Sequence, residues 1–154
     1  MRIAFDLDDT LIPTTRAFSV GSKKARFPFS LIFTEPLRNG APALIKSLAA
    51  EHEIWIYTTS LRKPWHIKAW LRLWGIDVAS IINQDAHHQA VSGNAAYARF
   101  SKSPAAFGID LMIDDLPGVE IECRQQGCQS LIIHVDDDHW AERVMMEVER
   151  LSSG

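Results

Sequence analysis

Short apolar runs alternate with amphipathic stretches along most of the chain. Arg2–Leu7 reads as a buried strand, and so does EIWIY at Glu53–Tyr57. Val78–Ile82, Ile109–Ile113 and Leu131–Val135 predict three more strands. Between these runs the apolar spacing changes to a helical one. Leu44, Ile45 and Leu48 share one face of a helix predicted over Pro42–Glu51, with Pro42 in its first turn. Ile67, Trp70, Leu71 and Trp74 do the same over Pro64–Trp74, and Gly75 supplies the stop. Pro117–Gln126, closed by Gly127, and Asp138–Leu151 are the remaining predicted helices. Two segments lack either period. Ile12–Asn39 carries three prolines and a basic cluster at Arg16, Lys23, Lys24 and Arg26. It has room for a hairpin (Ala17–Val20 with Phe27–Phe33, around Gly21) and a short helical turn. Asp85–Pro104 is polar, contains Ser92-Gly93-Asn94, and is expected to be a long loop with one helical turn.

Strands alternating with helices of this length call for crossover connections and a parallel sheet. The expected fold is α/β, a three-layer, Rossmann-like sandwich with a mainly parallel central sheet. In such sheets ligands bind beyond the carboxyl ends of the strands. Those ends read Asp6-Leu7-Asp8, Thr58-Thr59-Ser60 and Asp114-Asp115, so two acidic clusters and one hydroxyl cluster converge on one rim.

Composition narrows the class without naming the chemistry. The 154 residues suit one domain, 1–154, with one sizeable core. A net charge of −3 gives no general attraction to nucleic acid or to an anionic membrane, and neither is an expected partner. No apolar run reaches the roughly 18 residues of a membrane span. The first apolar stretch is broken at Asp6, unlike a signal peptide, so the expected compartment is the cytoplasm. Cys123 and Cys128 are expected to be free thiols. The sequence leaves the oligomeric state open.

The acidic rim is the chemical signal. Burying carboxylates costs several kcal/mol unless a cation compensates them. An all-oxygen donor set suits Mg²⁺, which keeps several waters and takes one or two protein carboxylates. Asp6 and Asp115 are the expected carboxylates, with the backbone carbonyl of Asp8 as a further ligand. A carboxylate beside the ion can attack phosphorus. A second carboxyl two residues along can protonate the leaving oxygen and then activate water. A threonine hydroxyl and a lysine would hold the transferring phosphoryl group.

DLDDTL at Asp6–Leu11 resembles the first motif, D-x-D-x-T, of the haloacid dehalogenase-like superfamily. IWIYTTS is similar to its second motif, SKSP offers the lysine of its third, and LMIDDLPG is similar to its fourth. The order agrees from Arg2 to about His134. The resemblance implies an Mg²⁺-dependent phosphatase acting on a phosphorylated substrate through an aspartyl-phosphate. Asp6 matches the nucleophile, Asp8 the general acid/base, Thr10 the threonine that orders the turn, and Thr58 the phosphate-binding hydroxyl. Lys102 matches the third-motif lysine, although it precedes Asp114 by only twelve residues and Lys63 competes for the role. Asp115 matches the metal-binding acid; Asp114 either contacts the ion through water or supports the acids that do. Thr59, Arg62 and Lys63 are expected to meet the substrate. The inserts at about 12–39 and 85–104 are too short to form a domain, so the resemblance is to minimal-cap members. Small nucleotidases share the IDD-x-P pattern, which makes a 5′-nucleotidase the alternative enzyme. A catalytically weak phosphate-binding module is the rival from another class.

Other conspicuous residues have plainer explanations. Asp136-Asp137-Asp138 precede a helix, where acids favour the dipole and cap amides. His87-His88 are expected on an exposed loop. Trp70 and Trp74 are expected in the core. Trp65, with Arg62, Lys63, His66 and Lys68, forms either a solvated face or a contact for the remainder of the substrate.

Overall fold

A computed structural model describes residues 1–21 and 32–154. The second arm of the expected hairpin lies largely outside the described residues, as do Lys23, Lys24 and Arg26. Among the described residues of that insert, Val20 makes an isolated antiparallel bridge with Arg38.

Five strands form one parallel sheet: β1 (Arg2–Phe5), β2 (Glu53–Tyr57), β3 (Ser80–Ile82), β4 (Leu111–Asp114) and β5 (Gln129–Ile132), in the order β3-β2-β1-β4-β5. The helices are α1 (Ala41–Leu48), α2 (Pro64–Leu73), α3 (Gln84–Val91), α4 (Ala95–Ala98), α5 (Pro117–Gln126) and α6 (Trp140–Ser152). Alternate residues of β1 face opposite sides. Ile3 and Phe5 enter the larger core with Leu44 and Ile45 of α1, Ile67 and Leu71 of α2, and Val144 and Val148 of α6. Ala4 enters the smaller core with Val119 and Cys123 of α5, against which Ala86 of α3 packs. The three layers predicted from the sequence are therefore present. Trp70 is buried in the larger core and Trp74 packs against it.

Both boundaries of α5 coincide with the prediction. Pro117 opens it without a missing donor, and Gly127 closes it at φ 75°, where a side chain would be strained. β2 also coincides with its predicted span. β3 and β4 begin two residues later than predicted, at Ser80 and Leu111, and two further expectations are corrected. The polar stretch after Asp85 is largely helical: α3 and α4 fill it, followed by a 3₁₀ turn at Pro104–Phe107. Helix α3 begins where Asn83 accepts the Ala86 N–H at 3.0 Å, and its buried residues are His87 and Val91. A histidine occupies a core position there, so the apolar period is missing. β5 begins two residues earlier than predicted, at Gln129. It is an edge strand, where backbone pairing to β4 needs no apolar side chain at its start.

Strand order places the site. From β1 the chain runs outward through β2 to β3, then returns to pair β4 on the other side of β1. The crevice at such a reversal, beyond the carboxyl ends, is the natural ligand position. Among the described residues, no helix is long and apolar enough to cross a membrane.

Candidate active site

The register pairs Phe5 with Ile113, so the next residues along, Asp6 and Asp114, emerge side by side from the sheet. The Asp6 N–H still bonds the Ile113 carbonyl at 2.8 Å, which fixes the backbone where the strand ends. Asp6, Asp114 and Asp115 are all buried, and each offers a carboxylate oxygen within 4.8 Å of the others. Lys102 Nζ, also buried, lies 2.5 Å from Asp6 Oδ1 and 2.5 Å from Asp114 Oδ2. Lys63 is exposed instead, with Nζ 3.8 Å from Asp85. The fold thus brings Lys102, not Lys63, to the acids.

One ammonium shared by two carboxylates leaves negative charge uncompensated. Burial and the neighbouring Asp114 push Asp6 up to about 7, against the pull of Lys102. Burial and Asp114 raise Asp115 as well. The ammonium of Lys102 is held charged by Asp6 and Asp114 despite its burial. Both oxygens of Asp114 have donors, Lys102 on one and the Leu116 N–H at 3.0 Å on the other. Among the described residues, the one side chain that donates to Asp115 is Thr10, whose Oγ1 lies at 3.5 Å, the outer limit of a hydrogen bond. This arrangement fits a hard divalent cation: the donors are oxygens, three carboxylates meet one ammonium, and that ammonium bonds Asp6 and Asp114 but not Asp115.

Asp8 stands apart from this cluster and is partly exposed. Arg62 Nη1 donates to both of its oxygens at 2.9 Å, and Thr14 Oγ1 donates to Oδ1 at 2.6 Å. Thr58, at the end of β2, is buried; its hydroxyl is 3.5 Å from Asp8 Oδ2 and accepts the Ser60 N–H at 3.1 Å. Thr59 is exposed on the same rim. Arg62 Nη2 reaches Glu35 Oε1 at 2.6 Å. Against the cost of burial, Glu35 and Asp8 hold Arg62 more firmly charged than usual. Glu35 was missed in the sequence because it lies in the irregular insert, where no period marks a partner.

Thr10 is buried and faces Asp115, but the turn after β1 is organised chiefly by Asp9. Asp9 adopts φ 58° and accepts the N–H groups of Thr14, Thr15 and Arg16 at 2.9, 2.8 and 3.0 Å. Those bonds and the Thr15 hydroxyl hold its carboxyl below the usual range, although burial opposes them.

Beside Arg62 a groove of about 320 Å³ is lined by Thr34, Glu35, Arg62, Lys63, Trp65 and His66. His87, expected on an exposed loop, is buried on α3 and bonds Tyr57. Asp137 accepts the His139 N–H at 3.0 Å and pairs with Arg143 at 2.5 Å, so this acidic run serves the entry to α6.

No protein-family model matches the sequence, and no curated protein does. Solved structures do share its fold. A predicted HAD-like family hydrolase from Porphyromonas gingivalis superposes with a TM-score of 0.52 at 10% identity, covering 95% of this chain and 97% of that one. A chain of the Pnkp1/Rnl/Hen1 complex gives a TM-score of 0.53 at 12% identity. That match covers 88% of this chain, which spans 46% of the other. At these identities the likeness is one of fold, and it agrees with the α/β sandwich expected from the sequence.

Proposed function

We propose that the protein is an Mg²⁺-dependent phosphomonoester hydrolase working through a phospho-Asp6 intermediate. The observation that carries this reading is the grouping of Lys102 with Asp6, Asp114 and Asp115 at the strand reversal, with Asp8 separate but adjacent. An Asp6 oxygen attacks phosphorus and the bond to the leaving oxygen breaks, with Asp8 giving that oxygen its proton. Asp8 then takes a proton from water, which attacks the phosphoryl group and frees Asp6. Lys102 and the Thr58 hydroxyl bear on the transferring oxygens. Mg²⁺, held by Asp6, Asp115 and the Asp8 backbone carbonyl, would supply positive charge against those oxygens when bound. Asp114 keeps Lys102 in place. The leaving group extends past Asp8 along Thr59, Arg62 and Lys63 toward the groove at Trp65.

Turnover of p-nitrophenyl phosphate with Mg²⁺ tests the reading and separates it from a phosphate-binding module. Activity should vanish with excess chelator and in Asp6→Asn, and Ca²⁺ should not restore it, because calcium takes more ligands at longer distances. Full activity in chelator, or in Asp6→Asn, would overturn the proposal.

A further inference from the structure

On the reading that Lys102 serves a phosphoryl-transfer site, we propose that Tyr57 and His87 are positioning residues that moor the Lys102 loop and so aim its ammonium at Asp6. Lys102 lies in neither a helix nor a strand; it sits between α4 and the 3₁₀ turn. A lysine stem is flexible, so its head is placed accurately only if the backbone beneath it is held.

That backbone is held from two sides. On the outer side, Glu122 accepts the N–H groups of Ser101 and Lys102 at 3.0 and 3.2 Å, and Gln126 Nε2 donates to the Lys102 carbonyl at 3.0 Å. On the inner side, Tyr57 Oη accepts the Ser103 N–H at 2.7 Å and lies 2.6 Å from His87 Nδ1. The Ser103 N–H occupies one lone pair of the phenol oxygen, and with His87 in the tautomer that leaves Nδ1 unprotonated the phenol donates its proton to that nitrogen. Burial first, then His88, lowers the basicity of His87, in keeping with a neutral, accepting ring. Phe107 meets the Tyr57 ring edge-on, at 5.5 Å between centroids, and fixes it from beyond the loop.

Three features set this inner chain apart from routine satisfaction of a buried hydroxyl. It is buried throughout, so water does not substitute for a lost bond. It ends on the residue next to Lys102. And Tyr57 is the last residue of β2, immediately before Thr58, so one strand end sets both the hydroxyl and the ammonium of the site.

Tyr57→Phe keeps the ring and removes only the hydroxyl. Lysine acetylation by an N-hydroxysuccinimide ester, mapped by mass spectrometry, reads the mooring without reference to activity. Lys102 should be protected in the wild type and should label faster in Tyr57→Phe, while the exposed Lys46 serves as the control. His87→Leu should expose Lys102 likewise, and His87→Asn, which retains an acceptor near the Nδ1 position, should restore protection. Turnover of p-nitrophenyl phosphate should fall roughly threefold to tenfold in Tyr57→Phe, the scale of one buried hydrogen bond. In a Lys102→Gln background Tyr57→Phe should cause no further loss, because its effect acts through Lys102. Unchanged Lys102 labelling in both Tyr57→Phe and His87→Leu, or an equal loss in the Lys102→Gln background, would overturn the inference. A wild type that hydrolyses no phosphate ester overturns the phosphatase reading alone; the labelling still decides the mooring.

Discussion

Lys102 Nζ lies 2.5 Å from Asp6 Oδ1, in a pair that spans 96 positions of the chain and is buried on both sides. The same ammonium holds Asp114. Removing the lysine therefore strands two acids, whereas removing Asp6 still leaves a matched pair. Lys102→Met should lower unfolding stability by about 3–5 kcal/mol, the scale for breaking a buried ion pair. Asp6→Asn should unfold at a urea concentration equal to or above the wild type's, yet lose all turnover. Urea melts of both variants, read beside their activity, check this contrast.

Asp8 and Asp6 should fail differently. Asp8→Asn keeps the nucleophile but loses the proton donor and acceptor. It should become phosphorylated by an ester with a good leaving group and then stall, with turnover reduced by more than about a hundredfold. Intact-mass measurement after mixing with p-nitrophenyl phosphate should show one added phosphoryl group in Asp8→Asn and none in Asp6→Asn.

Stability should depend on pH through the acid cluster. Asp6 is raised from its ordinary 3.8 to about 7, and Asp115 is raised too. Between those values the folded chain holds a proton that the unfolded chain has released, so stability falls as pH rises through that window. Asp9 and Asp137 are lowered and act below the window, with the opposite sign. In chelator, the melting temperature should decline from about pH 5 to about pH 7 and level off above it.

Mg²⁺ should reverse that decline. At a hundredfold excess over its dissociation constant it should add about 2.7 kcal/mol. Protons compete for the same carboxylates, so the gain should be larger near neutral pH than in acid. Asp115→Asn should be at least as stable as the wild type in chelator and should respond little to Mg²⁺. Melting curves with and without Mg²⁺ decide the point; an equal response in both proteins would remove Asp115 from the ligand set.

The turn after β1 offers a test independent of catalysis. Asp9→Ala loses an acceptor for three backbone N–H groups and places a side chain with no local hydrogen bond at φ 58°. A loss of about 2 kcal/mol is expected. Asp9→Asn, which tolerates this backbone region and keeps an acceptor, should lose less in the same urea titration.

What could be read from the chain alone was what local physics dictates. EIWIY is a strand because four successive β-favouring residues, Ile54–Tyr57, are hemmed by polar ones, and α5 is bounded by a proline and a glycine whose backbone preferences mark its ends. The acids at the ends of β1 and β4 were legible because carboxylates closing a buried strand need a cation. Helix α3 was not legible, since its core position is a histidine whose burial depends on Tyr57, thirty residues away. Nor could the sequence choose between Lys63 and Lys102: both lie in polar stretches, and nothing local distinguishes a lysine that salt-bridges at the surface from one drawn into the sheet's reversal. Glu35 and Arg62 were likewise joined to Asp8 only by folding. Local pattern sets which residues form elements because that is governed by near neighbours. Which charges meet is decided by the packing of distant elements, where the cost of leaving a buried acid unpaired selects the partner.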